Sequence, residues 1–88
     1  MTENDLVEIE RLARAAQAGP WTSYVEGRDH QSGSSFIMTG QGVARGNDIE
    51  LSGATVADQD FIAAARQAVP LLIDEIRQLR RRIEEMNN

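Results

Sequence analysis

The stretch IAAARQAVPLLIDEIRQLRRRIEEM, Ile62 to Met86, carries apolar side chains at alternating steps of three and four. Ile62, Ala65, Val69, Leu72, Ile76, Leu79, Ile83 and Met86 follow one another without a miss over nearly four heptads. Such a stripe is the seam of a coiled coil and asks for a partner helix. The β-branched residues Ile62, Val69, Ile76 and Ile83 share one seam position, and Ala65, Leu72, Leu79 and Met86 the other, a distribution that favours a parallel pair. Glu75 would then face Arg80 of the second copy, an exposed ion pair worth a few tenths of a kcal/mol. The expected oligomer interface is Val69, Leu72, Ile76, Leu79, Ile83 and Met86. The competing reading is that the same heptads pack on the N-terminal helix of their own chain.

Outward from that stretch, 88 residues form one domain, 1–88, with little core to spare unless copies share surface. Four aromatic residues are few for that length. The formal charge of −5 opposes non-specific binding to nucleic acid and to anionic membranes. All nine basic residues are arginine, so arginine makes every cationic contact. There is no cysteine, hence no disulfide framework, no thiolate metal site and no cysteine nucleophile. Met1 to Glu10 is acidic where a secretory signal is basic and then apolar, and no apolar run approaches the roughly 18 residues of a membrane helix. The expectation is a cytoplasmic protein.

The expected fold is α+β. Residues 4–18 read as a helix with Leu6, Ile9, Ala13 and Ala16 on one face, stopped by Gly19 and Pro20. Residues 21–51 read as an antiparallel meander of about three strands, at 21–26, 35–39 and 48–51, the last joined by 43–45 in one version. Residues 56–86 are helical, with a break or a kink near Pro70, where the ring removes a backbone donor. Two helices and one bent helix both satisfy that pattern.

Catalytic patterns are weak. Gly40 to Gly46 has neither the spacing nor the following helix of a phosphate-binding loop, and turn glycines account for it. Asp29, His30 and the serines 32, 34 and 35 supply the residue types of a hydrolase triad without a scaffold to align them. His30 is the only histidine, and the acidic residues lack calcium-loop spacing. The chain is therefore expected to be no enzyme and to hold no cofactor or metal. Arg77, Arg80, Arg81 and Arg82 form a basic cluster, offset by Glu84 and Glu85. Arg66, beside Ala65 of the seam, bridges to Asp60 or Glu26 in one reading and reaches a pocket shared between subunits in the other, where its planar fork suits phosphate.

Gln17-Ala18-Gly19-Pro20-Trp21-Thr22, Ala57-Asp58-Gln59-Asp60-Phe61-Ile62-Ala63-Ala64-Ala65-Arg66, Val69-Pro70-Leu71-Leu72 and Glu75-Ile76 together resemble a class of small phage and prophage accessory proteins. These enter a small sheet through Gly-Pro-Trp and continue into a Phe-Ile-Ala helix. The architecture is also similar, by fold analogy alone, to phage proteins that sequester nucleotide-derived immune signals, such as the Thoeris anti-defence sponges. That analogy implies a homo-oligomer in the host bacterial cytosol. It also implies pockets between subunits for a cyclic-nucleotide or ADP-ribose-type ligand, with Arg66, Phe61, Arg28, Arg45 and Trp21 as the residues available to grip phosphate and stack on a base. The alternative is a protein-interaction module that docks on a host protein through its coiled coil.

Overall fold

The computed structural model describes all 88 residues, in the order α1 (Glu3–Ala15), β1 (Trp21–Tyr24), β2 (Phe36–Thr39) and α2 (Val56–Asn87). Both helices begin at a capping box. The Thr2 hydroxyl accepts the Asp5 N–H while the Asp5 carboxylate accepts the Thr2 N–H, and Thr55 and Asp58 repeat the exchange. α1 ends three residues earlier than its alanine-rich sequence suggests. Gln17 is drawn out of the helix because its side-chain oxygen accepts from the Thr39 hydroxyl at 3.1 Å and from the Asn47 N–H at 2.8 Å. Its carbonyl accepts the Trp21 indole N–H at 3.0 Å.

The sheet has two strands, not three. β1 and β2 pair antiparallel with Trp21 opposite Thr39 and Tyr24 opposite Phe36. In place of a third strand, Ile49 alone exchanges two backbone hydrogen bonds with Ile37, at 2.8 and 2.9 Å. The ladder cannot lengthen because its neighbours are taken. Residues 42–44 close a 3₁₀ turn, the Gly46 N–H and the Asn47 carbonyl both bond Thr39, and the Asn47 N–H bonds Gln17. Gly40, at φ +69°, permits this turn, since a Cβ there would run into the Ala44 carbonyl.

α2 is a single helix of 32 residues with Pro70 inside it, so the chain does not divide into two helices there. α1 lies antiparallel across the proline. Ala13 and Arg14 flank Pro70, while Leu6 and Ile9 meet Val69, Ile73 and Ile76 beyond it. The sheet packs on the N-terminal half of α2 through two glutamines. The Gln59 amide donates to the Ser23 hydroxyl and to the carbonyls of Tyr24 and Phe36 at 2.9 to 3.2 Å. Gln67 accepts the Trp21 N–H at 2.8 Å and donates to the Trp21 carbonyl at 3.1 Å, much as an adjacent strand would.

The inward stripe of α2 is therefore Gln59, Ala63, Pro70 and Ile73, continued by Arg77, and not the heptad seam. Those two stripes lie about 100° apart around the helix axis. Only Leu6, Val25, Ile37, Ala63 and Ile73 form a fully buried apolar core, so replacing the donor that ties α2 to the sheet should be felt throughout. Gln59→Ala leaves the Tyr24 and Phe36 carbonyls without that donor and is expected to lower stability by about 1–3 kcal/mol in urea denaturation; an unchanged midpoint would show the amide to be dispensable.

Candidate functional site

Of the five ligand-binding candidates, only Arg66 and Trp21 come together; Arg28, Arg45 and Phe61 stand elsewhere on the protomer. Arg28, in the turn after β1, grips both oxygens of Asp60 at 2.8 and 3.1 Å and the Asp29 carboxylate at 3.0 Å. The hydrogen bonds from Arg28 hold the Asp60 and Asp29 carboxyls below their ordinary value and raise the guanidinium above its own; Ser23 adds to the effect on Asp60, and the Val25 N–H to that on Asp29. Arg45 bonds Asp48 at 2.7 Å and the Gly46 carbonyl at 2.6 Å. Arg66 bridges to neither Asp60 nor Glu26. Its guanidinium lies 5.9 Å from the centre of the Trp21 ring, a cation–π contact, and its Nε is buried without a hydrogen-bond partner. Phe61, 74 % exposed, borders a shallow depression with Leu51, Ala54 and Asp58. Arg66 lines a different one, about 330 Å³, where Arg14 is balanced by Glu10 and Asp74. Within one protomer, Arg28, Arg45 and Arg66 thus do not converge.

The triad residues are not aligned either. The His30 Nδ1 meets the Ser32 carbonyl at 2.7 Å, and the Asp29 carboxylate is taken by Arg28 and the Val25 N–H. No group of three or more histidine, cysteine, aspartate and glutamate side chains is placed to hold a metal ion, and no helix is long and apolar enough to cross a membrane.

Half of the C-terminal arginine cluster fastens α1. Arg77 bonds Glu10 at 2.8 Å and Glu3 at 3.2 Å, and its pKa is raised, mainly by Glu10. Arg80 donates to the Met1 carbonyl. Arg81 and Arg82 remain exposed.

What does come together is apolar. Val69 and Ile76 are half-buried beside α1, whereas Leu72, Leu79, Ile83 and Met86 stay exposed. Ile9 and Leu12 of α1, with Met1 before it and Ala16 at its C-cap, line the same flank. Two adjoining depressions, about 190 and 260 Å³, run along this junction, the first lined by apolar residues only and the second interrupted by Arg66 alone. Leu6, Ile9, Ala13 and Ala16, the stripe expected of the N-terminal helix, all line this groove, and Leu12, which that stripe omits, joins them. A second row, Ile9, Leu12 and Ala16, is also spaced at three and four and was the available signal.

No protein-family model, curated protein or solved structure matches the chain.

Arg28→Ala is expected to return the Asp60 and Asp29 titrations upward toward the ordinary carboxylate value near 3.8. Because folding lowers these values, the stabilisation is complete above the ordinary value and is lost as pH falls through the lowered one. Carboxyl-carbon NMR titration of both proteins reads the change, and unmoved midpoints would refute the assignment to Arg28.

Proposed function

We propose that the chain is a non-enzymatic protein-interaction module that acts as a homo-oligomer through the apolar flank of α2. The observation that carries this reading is the mismatch between core and surface. Five apolar side chains are fully buried, while Leu12, Ile62, Leu72, Leu79, Ile83 and Met86 are exposed along one side of the helix pair. The protomer exposes 6342 Å², against about 5,100 Å² for a compact folded chain of this mass. Its radius of gyration is 16.6 Å, against about 12 Å for a compact domain of this length. The excess area exceeds the roughly 800 Å² per partner of a standard protein interface.

Light scattering should give at least twice the 9.7 kDa chain mass. Ile76→Asp combined with Leu79→Asp places charge in the seam and should return the particle to chain mass with a lower melting temperature. An unchanged oligomer mass would overturn the reading.

One observation favours a second function. Arg66 is the candidate arginine that no carboxylate holds, and its Nε lacks a partner beside the apolar groove. In an oligomer this residue would sit next to the subunit contact, as a phage-type sponge for a cyclic-nucleotide or ADP-ribose-type signal requires. A thermal-shift panel of cyclic di- and trinucleotides and ADP-ribose derivatives tests it, since a ligand at a hundred times its Kd adds about 2.7 kcal/mol. Arg66→Ala should abolish the shift and leave the oligomer intact; a flat panel, or a shift that survives the substitution, would remove Arg66 from any site.

A further inference from the structure

We infer that the second copy lies antiparallel, so that two α1–α2 pairs close into a four-helix bundle in which every neighbour is antiparallel. The inference rests on the self-association proposed above and goes on to fix its geometry. In a parallel pair the flanking contacts join positions on either side of the seam, and three of those positions are occupied. Ile73 is buried under α1, Arg66 stands over Trp21, and Arg80, which would meet Glu75 of the other copy, is held by Glu3 and the Met1 carbonyl. A parallel arrangement would also put the two α1 helices on opposite sides of the seam. Ile9, Leu12 and Ala16 would then stay uncovered.

The antiparallel arrangement brings both α1 helices to one side, where their apolar rows meet each other and the seam. It pairs Ile62 with Met86, Ala65 with Ile83, Val69 with Leu79 and Leu72 with Ile76 of the other copy. Each layer then sets a β-branched residue or alanine against a longer side chain, and the gap that two facing alanines would leave at Ala65 is filled. Residues 81–87, which α1 does not reach, gain cover from the N-terminal half of the other α2. Antiparallel neighbours also set opposite helix dipoles side by side. A bundle of this kind is a standard way for helical hairpins to bury one shared core.

The absence of cysteine makes the test direct. Met86→Cys and Ile62→Cys are prepared separately, then mixed, refolded and oxidised. The mixture is expected to yield a covalent dimer, whereas Met86→Cys alone yields none. Nitroxide labels on Asn88→Cys should lie about 40 Å apart, from the rise of the overlapping helices, against roughly 10–20 Å for a parallel pair. Light scattering of the same samples separates the two claims. Chain mass would sink self-association itself. Dimer mass with a Met86–Met86 cross-link or a short label distance would refute only the antiparallel geometry, as would dimer mass with neither cross-link.

Discussion

The structure depends on two carboxamides. Gln59 and Gln67 stand two turns apart on α2 and hold the two ends of β1, one at Tyr24 and the other at Trp21. A two-stranded sheet of four residues a side is marginal in water, and this one has no third strand to steady it. Gln67 satisfies both backbone groups of Trp21, which would otherwise face solvent along the sheet edge. By fixing the edge strand to one line of the helix, the glutamines also fix the rotation of α2 about its own axis. The line through Gln59, Ala63 and Ile73 must face inward, and the heptad seam must then face out and to the side.

α1 is added to this frame with few strong contacts. Burial of Leu6 supplies about 1.5–3 kcal/mol. The ion pairs that Arg77 and Arg80 make with Glu3 are partly solvent-exposed and contribute at most about 1 kcal/mol each, while in the Arg77–Glu10 pair both side chains are only 25 % exposed. The Ile9, Leu12 and Ala16 row of α1 remains beside the seam, so the position of α1 decides the shape of the groove and which helix can enter it.

Much of this was legible in the chain. The N-terminal helix, the extended runs after Pro20 and at 35–39, and the long helix from residue 56 all form close to their expected bounds. The third strand was not legible, because the approach to Ile49 is fixed by the Asn47 N–H donating to the Gln17 side-chain oxygen, 30 residues away in sequence, and by a turn that Gly40 permits. The inward stripe of α2 was hidden for another reason. Its key members are Gln59 and Pro70, which hydrophobic periodicity counts as surface or as a break. The ligand candidates were chosen by residue type, and type cannot say that Arg28 has Asp60 within reach and Arg66 has none.

That distribution of partners bears on what the surface can bind. An anion captured by Arg28 must displace a bidentate carboxylate held by two charge-assisted hydrogen bonds, and one captured by Arg45 must displace Asp48. The cost of breaking those pairs is subtracted from any affinity gained. The groove between α1 and α2 imposes no such exchange, since apart from Arg66, which no carboxylate holds, its lining is apolar. The same small core that leaves this groove open also makes its closure valuable, because surface buried between copies adds to the stability of each. Any association through this groove would therefore draw on the apolar face that folding leaves uncovered.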